Sequence, residues 1–176
     1  MHKEIRICGY GGQGIVLSGV ILGEAAVMAG HEAVQTQSYG PESRGGAARS
    51  EVVIASEPID YPRVTAADVT VALSQPAYDR YVAGHEGGLV VVDRDLVQAN
   101  GVQALHFTKT AERVGHKIVT NIVMLGYLGS ILGLIPDDVF EAAVIRNVPP
   151  GTESMNRAAI QAGRELFQLE IEGRVS

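Results

Sequence analysis

Apolar positions follow two spacings along this chain, and together they predict alternating strands and helices. Short apolar runs at residues 4–8, 69–73 and 89–92 are typical of strands that are covered on both faces of a sheet. The apolar run at residues 15–29 has helical spacing, and Gly30 is placed to end that helix. The repeated order of strand and helix predicts an α/β domain.

Weaker patterns between the first helix and residue 69 predict three further segments. Residues 32–37 form a second, less hydrophobic strand, and residues 38–46 carry the glycine and proline signals of a loop. Residues 49–55 predict another strand, which a turn at Pro58 and a short return beginning at Ile59 would complete. These connections are too short for a crossover helix, so we expect a hairpin-like addition here.

The second half of the chain is mainly helical. Pro76 is suited to the first turn of a helix with Ser74 or Gln75 as its cap, and Asn121 near a later helix start is predicted to cap or to bind backbone. The closing helices are predicted at residues 120–132, 137–147 and 155–169. The predicted fold is a single α/β domain over residues 1–176, with one open, mostly parallel, doubly wound (Rossmann-like) sheet, a hairpin-like addition and C-terminal helices.

A glycine cluster joins the first strand to the first helix. Gly9, Gly11 and Gly14 match the G-x-G-x-x-G spacing, and Gly12 and Gln13 lie between them. Such a loop leaves the N–H groups at the start of the helix free to bind an anion. The alternative is that the glycines only permit a tight turn and close packing of the helix on the sheet.

The second strand does not fit a nicotinamide dinucleotide site. NAD sites place an acidic side chain at the end of this strand for the ribose hydroxyls. Here the strand ends at Gln37 and Ser38, and Glu32 lies at its opposite end. A nicotinamide-dependent dehydrogenase is therefore disfavoured.

The loop at residues 38–46 concentrates polar chemistry beside the glycine cluster, because the loops after the first two strands leave the same edge of a doubly wound sheet. It carries the phenol of Tyr39, the carboxylate of Glu42 and the guanidinium of Arg44, and its turns are Gly40-Pro41 and Gly45-Gly46. Arg44 is suited to a phosphate or to a partner's carboxylate. The alternative is an ordered surface loop held by an internal contact of Glu42 with Arg44 or Arg49.

Composition excludes several classes of protein. The net charge of −6 disfavours a nucleic-acid binder, and the single cysteine, Cys8, excludes a disulfide framework or an iron–sulfur cluster held by this chain alone. We expect Cys8 to be a buried strand residue. The uncharged segment 118–135 contains too many polar and small residues to predict a membrane span. No signal peptide is recognisable, so a cytoplasmic location is expected. The scattered histidines predict no metal site, and no catalytic residue is assigned.

Two motifs carry a family resemblance. The glycine cluster at residues 9–14, followed by Ser-Tyr-Gly-Pro-Glu at residues 38–42 and Arg-Gly-Gly at residues 44–46, resembles the gamma subunit of the 2-oxoacid:ferredoxin oxidoreductases. The similarity continues through residues 68–74, 88–93 and 121–126 and the closing helices, and so covers nearly the whole chain.

The resemblance implies a role within a larger enzyme. Members of this family oxidatively decarboxylate a 2-oxoacid on thiamine diphosphate, pass electrons through iron–sulfur clusters to ferredoxin or a similar acceptor, and release an acyl-CoA. It implies alpha and beta partner subunits, an optional ferredoxin-like delta subunit, and cofactors held by those partners rather than by this chain. Among the substrates, 2-oxoglutarate is slightly favoured.

The resemblance also implies a surface that contacts coenzyme A or a partner subunit. The residues assigned to it are Gly9, Gly11, Gly12, Gln13, Gly14, Ser38, Tyr39, Glu42, Arg44, Gly45 and Gly46. Two alternatives stay open: a stand-alone Rossmann-like enzyme or sensor that binds a nucleotide at the glycine cluster, and an interaction scaffold without a ligand.

Overall fold

The computed structural model describes residues 1–38, 46–84 and 87–173. The strands are β1 (His2–Tyr10), β2 (Glu32–Gln37), β3 (Ala47–Ala55), β4 (Val69–Ala72), β5 (Leu89–Asp93) and β6 (Gln103–Leu105). The helices are α1 (Ile15–Met28), α2 (Gln75–Tyr81), α3 (Phe107–Val114), α4 (Thr120–Leu132), α5 (Asp137–Asn147) and α6 (Glu153–Ile171). A 3₁₀ turn, Lys117–Val119, precedes α4.

The six strands form one open sheet in the order β2-β3-β1-β4-β5-β6. β1, β4, β5 and β6 are parallel, and β3 is antiparallel to both of its neighbours, β1 and β2. β2 therefore has the same direction as β1, and both strands end at the same edge. The predicted α/β class and mostly parallel open sheet are confirmed.

The hairpin forms with a different partner from the one expected. The segment after β3 adds no strand at Ile59 within the described residues. β3 instead pairs along one side with β1, in the register Ile5↔Val52, and along the other side with β2, in the register Val34↔Val53. Because both sides of β3 are occupied, no edge is left for a return strand.

The two faces of the sheet are covered unequally. On one face, Ile5, Ile7, Val52 and Ile54 pack with α1 and α3–α6 in the main core. On the other face, Cys8 and neighbouring strand residues pack against the single short helix α2. Cys8 is fully buried, as predicted, and burial raises the pKa of its thiol to about 12. The thiolate is thus suppressed at neutral pH.

The irregular segment between β3 and β4 is fastened to the sheet through Glu4. The Glu4 carboxylate accepts hydrogen bonds from the backbone N–H groups of Thr65 (2.6 Å) and Ala66 (2.8 Å). Burial raises the pKa of Glu4, but these hydrogen bonds outweigh burial and hold the pKa below its ordinary value. Asp68 is held in a similar way, by the Glu4 N–H and the Lys3 ammonium, and its pKa is also lowered.

Glu4→Gln is expected to lower the free energy of unfolding at pH 7 by about 1.5–3 kcal/mol, the size of a hydrogen bond to a charged group. Because the pKa of Glu4 is depressed in the fold, its carboxylate stabilises the protein above the unfolded-state pKa, and this contribution disappears as the pH falls through the folded-state pKa. Urea unfolding measured from pH 7 to pH 2 should show the free energies of unfolding of wild type and Glu4→Gln becoming equal as the pH falls. Glu57→Gln, at an exposed position of the same segment, is the matched control and should be nearly neutral. If the free energies of unfolding of wild type and Glu4→Gln differed by the same amount at every pH, the stabilising role of the Glu4 carboxylate would be contradicted.

Candidate functional site

The glycine cluster meets the end of the 38–46 loop at the carboxyl edge of the sheet. The Gly11 N–H donates a hydrogen bond to the Gly46 carbonyl (3.1 Å). A Cβ on Gly46 would overlap the ring of Tyr10, and the φ of Gly46 is +91°, so glycine is needed there for two reasons. The predicted proximity of the two loops therefore holds at this described end.

Gln13 holds the glycine cluster in shape. Its Oε1 accepts a hydrogen bond from the Tyr10 N–H (2.5 Å), and its Nε2 donates one to the Leu73 carbonyl (2.9 Å). A Cβ on Gly9 would lie 2.6 Å from the same Oε1, so Gly9 makes room for this side chain. The Gln13 amide thus ties the cluster to the end of β4, in addition to facing the surface.

The start of α1 presents unpaired backbone donors. Gly14 begins the helix with a φ of +72°, and its carbonyl accepts the first helical hydrogen bond from Ser18. The N–H groups of Ile15, Val16 and Leu17 therefore have no acceptor within the helix. No side chain caps α1, and its first turn holds no acidic residue. The helix dipole and these donors favour an anion.

Asn121 faces the same point from α4. A Cβ on Gly14 would overlap Nδ2 of Asn121, so the side-chain amide lies directly against the start of α1. Only 5% of Asn121 is exposed, and among the described residues no hydrogen-bond partner is found for its amide. The cap of α4 makes no side-chain hydrogen bond, so the predicted capping role of Asn121 is wrong. The amide atoms of Asn121 keep some access to solvent, because Arg49 Nε is the only fully buried side-chain nitrogen or oxygen without a partner among the described residues. The amide is therefore available to water or to a ligand group at this point.

A cleft of about 590 Å³ opens beside these donors. Its walls come from the glycine cluster, the segment after β5, and the starts of α3 and α4. Its lining contains one cation, Lys117, and one acid, Glu112. The full set of lining residues is Gly12, Gln13, Leu96, Thr108, Glu112, His116, Lys117, Ile118 and Thr120. The starts of α3 and α4 differ from that of α1. At α3 the N–H groups of Thr108 and Lys109 donate to the carboxylates of Asp93 and Asp95, and α4 continues directly from the 3₁₀ turn that His116 caps.

A buried carboxylate shapes the far wall of the cleft. Asp93, at the end of β5, is completely buried and accepts hydrogen bonds from Thr108 Oγ1 (2.5 Å), Thr108 N–H (3.2 Å) and Asp95 N–H (3.1 Å). Burial raises the pKa of Asp93 above its ordinary value. Asp95 in turn accepts a hydrogen bond from His106 (2.6 Å). This network fixes Thr108 at the start of α3 and thereby the shape of the cleft.

The remaining predicted site residues are not all brought together. Ser38 exchanges hydrogen bonds with the backbone of Arg49, which places it on β2's side of β3 rather than at the glycine cluster. Arg49 lies 5.0 Å from the ring centroid of Tyr81. Tyr39, Glu42, Arg44 and Gly45 lie outside the described residues, as do the predicted contacts of Glu42.

Strand order adds a second argument against a nicotinamide site. β3 lies between β1 and β2, so the end of β2 is two strand spacings, about 10 Å, from β1. Glu32 lies at the other end of β2, paired with Ala55. An acid at the end of β2 would thus stand too far from the glycine cluster to hold the ribose.

Residues 1–38, 46–84 and 87–173 contain no cluster of three or more histidine, cysteine, aspartate or glutamate side chains arranged to hold a metal ion. None of the described helices is both long and apolar enough to cross a bilayer.

Sequence reasoning missed most of the cleft. Leu96, Thr108 and Lys117 carry no motif, and they reach the cleft only through the order of the strands. The one available signal was Asp93, an acid that directly follows a strongly apolar strand at the carboxyl edge.

The fold and cleft define a doubly wound α/β protein with an uncapped helix start at the carboxyl edge of its sheet. Comparison with known proteins specifies it further. The model of the family described as pyruvate ferredoxin/flavodoxin oxidoreductase matches residues 4–166. The chain belongs to this family.

Individual relatives agree with that assignment. The 2-oxoglutarate synthase subunit KorC of Methanocaldococcus jannaschii is 49% identical over 176 residues, which cover 94% of each chain. The crystal structure of the keto/oxoacid ferredoxin oxidoreductase gamma subunit from Geobacter sulfurreducens PCA is 43% identical, with a TM-score of 0.84 over 96% of this chain and 97% of that one.

A more distant structure shares the fold within a longer polypeptide. The 2-oxoglutarate:ferredoxin oxidoreductase from Magnetococcus marinus, whose structure has 2-oxoglutarate, coenzyme A and succinyl-CoA bound, is 24% identical to this chain. The TM-score is 0.83, and the match covers 95% of this chain but only 31% of that one. The same fold therefore occurs both as a separate chain and as part of a larger one.

Proposed function

We propose that this chain is the gamma subunit of a cytoplasmic 2-oxoglutarate:ferredoxin oxidoreductase and that its cleft receives the phosphate end of coenzyme A. The 49% identity to a KorC subunit over nearly the full length of both chains supports 2-oxoglutarate over pyruvate as the substrate of the complex. The observation that carries the coenzyme A assignment is the Asn121 amide, without a partner in the described chain, against the uncapped start of α1.

The start of α1, which follows the cleft-lining residues Gly12 and Gln13 in the chain, fits a phosphate. A phosphate oxygen placed at the start of α1 would meet the free N–H groups of Ile15 and Val16 and the amide of Asn121, all of them donors. Gly12 has no atom within 4 Å of where its Cβ would stand, so a ligand has access to the backbone there. Lys117 supplies a cation at the exposed rim. The apolar side chains of Leu96 and Ile118 line the same cleft and suit the less polar parts of a coenzyme A molecule.

The chain's residues do not fit the redox cofactors of such a complex. An iron–sulfur cluster needs several thiolates, and the single thiol, Cys8, is buried with its pKa raised to about 12. Thiamine diphosphate and the clusters therefore belong to the alpha, beta and delta partners in this proposal. Within the complex, this chain's residues bind and orient the acyl acceptor.

Reconstitution tests the proposed function. The chain, co-expressed with the other subunits of its source complex, is expected to co-purify with them in native mass spectrometry. The complex should reduce a viologen dye with 2-oxoglutarate and coenzyme A, with a higher kcat/KM for 2-oxoglutarate than for pyruvate or 2-oxoisovalerate. Turnover by the isolated chain, or tight calorimetric binding of NAD(H) to it, would contradict the proposal.

A further inference from the structure

The outward face of α1 carries apolar side chains where a surface helix normally carries polar ones. Val16, Val20 and Val27 are exposed, and Gly23 lies between them at the same helical spacing of three or four residues. We call these four positions the α1 outer stripe. It extends for about 16 Å along the helix. The opposite face of α1 is buried in the main core, so this helix is apolar on both sides.

Gly23 is the feature of the stripe that this chain does not explain. Glycine in a helix interior costs stability relative to alanine, so it is expected where another group approaches closely. The other helix-interior glycines in the described part of the chain each face a neighbour that a Cβ would crowd: Gly19 faces Ser50, Gly126 faces Ile160, Gly129 faces Phe140 and Gly163 faces Val123. A Cβ on Gly23 would have no atom within 4 Å. Gly23 therefore leaves room for another helix to come close, and no group of the described chain fills that room.

The charges beside the stripe are already neutralised. The Glu24 carboxylate forms an ion pair with Arg146 (2.7 Å) and accepts a hydrogen bond from Asn147 (2.5 Å). A groove of about 480 Å³ runs along the same side, between Val20 and Val27 of α1 and Ala33 of the edge strand β2. The surface therefore suits an apolar, uncharged helix and gives no electrostatic reason to bind a nucleic acid or an anionic membrane.

We propose that the α1 outer stripe is the docking site for a helix of a larger subunit of the same oxidoreductase, with Gly23 at the closest approach of the two helices. This inference rests on the proposed function. In the Magnetococcus marinus enzyme the matching region makes up 31% of a longer chain, so the remainder of that chain is covalently attached to this fold. The KorC subunit and the Geobacter gamma subunit are matched over 94% and 97% of their own length, so in those proteins any contact with the equivalent domains is a contact between subunits.

A helix docked on the α1 outer stripe would also lie beside the candidate phosphate position. Val16 lies in the first turn of α1, two residues after Gly14, and its own N–H is one of the free donors. A helix seated along the stripe would therefore border the candidate phosphate position and shield it from water on that side. The mode of contact already occurs within this chain, where α6 packs on α4 through Gly126 and Gly163.

Gly23→Leu tests the docking without disturbing the fold. The new side chain projects into open space and has a higher helix propensity than glycine, so the melting temperature of the isolated chain should stay the same or rise. Incorporation into the co-expressed complex, measured by native mass spectrometry, should fall at least about tenfold. Ala158→Leu, which adds a similar side chain to an exposed position of α6, is the matched control and should assemble normally.

A second measurement labels newly introduced cysteines, which is possible because the single natural cysteine, Cys8, is fully buried and should not react. In Val27→Cys the new thiol should react with a maleimide in the isolated chain and be protected in the complex, whereas Ala158→Cys should react in both.

Normal assembly of Gly23→Leu together with an unprotected Val27→Cys would overturn the docking proposal alone. Failure of the wild-type chain to join the larger subunits would overturn the proposed function as well. A homodimer of the isolated chain that Gly23→Leu abolishes, with the complex unaffected, would assign the stripe to a second copy and overturn the proposal.

Discussion

Gly163→Ala is expected to lower the free energy of unfolding by about 3 kcal/mol, the upper part of the range for overpacking a core. For a domain of this size the loss corresponds to a fall of about 6–12 °C in melting temperature. Urea unfolding followed by circular dichroism measures the change directly, with the m-value expected to stay constant.

The reason is a contact between helix backbones. A Cβ on Gly163 would overlap the carbonyl oxygen of Val123 and stand 2.8 Å from the Tyr127 backbone nitrogen. A Cβ on Gly126 would in turn overlap the carbonyl of Ile160. Backbone atoms cannot rotate away as a flexible side chain can, so α4 and α6 must separate and break their packing along the crossing. Since α4 also carries Asn121, the same movement would disturb the cleft.

Gly23→Ala is the matched control, because it makes the same chemical change inside a helix. With open space at its Cβ, alanine there should stabilise the chain by about 0.5–1 kcal/mol. Gly163→Ala should thus lower the free energy of unfolding and Gly23→Ala should raise it. A neutral or stabilising Gly163→Ala would show that α4 and α6 do not meet at backbone contact.

Asn121→Asp is expected to raise the KM for coenzyme A in the assembled complex by about 10- to 100-fold, or about 1.4–2.7 kcal/mol of binding free energy. The KM for 2-oxoglutarate should stay unchanged, because only the acyl acceptor is proposed to reach this cleft. Steady-state viologen reduction at varied coenzyme A concentrations gives both constants.

The physical cause is the replacement of a donor by an anion of nearly the same shape. The Asn121 amide lies against the start of α1, where the phosphate is proposed to bind. A carboxylate there would itself be stabilised by the helix dipole, so the fold should tolerate it while the phosphate is repelled. Added salt should reduce the difference between variant and wild type, since screening weakens the repulsion.

Gln161→Glu, which introduces the same charge at an exposed position of α6, serves as the control and should leave the KM for coenzyme A unchanged. If Asn121→Asp altered the melting temperature but not this KM, Asn121 would be a packing residue, and the coenzyme A assignment would lose the observation that carries it.

The local elements of this fold could be predicted because each depends on neighbours in sequence. The apolar run of α1 and the glycine turn before it were identifiable from spacing, and β2 has the bounds Glu32–Gln37 that the pattern indicated. Ser74 caps α2 as expected, accepting a hydrogen bond from the Ala77 N–H (3.4 Å). The return strand at Ile59 failed because the pattern shows that a segment is strand-like, not which edges of the sheet are free.

The candidate site was predictable only in part, for a related reason. The glycine cluster has a recognisable spacing, but its main counterpart, Asn121, is 107 positions beyond Gly14 and reaches it only through the packing of α4 against α1 and α6. Thr108 reaches the cleft through its hydrogen bonds to Asp93 across the end of β5. No spacing rule joins such residues.

By itself the sequence determined the α/β class, the glycine turn at residues 9–14, the absence of an acid at the end of β2, and the family resemblance, since these are properties of local pattern and residue identity. Only the tertiary structure decided that β3 enters between β1 and β2, that an amide without a partner in the described chain lies against the start of α1, and that Gly23 faces open space. Those three features are contacts, or missing contacts, between segments far apart in sequence, and they arise only when the whole core packs.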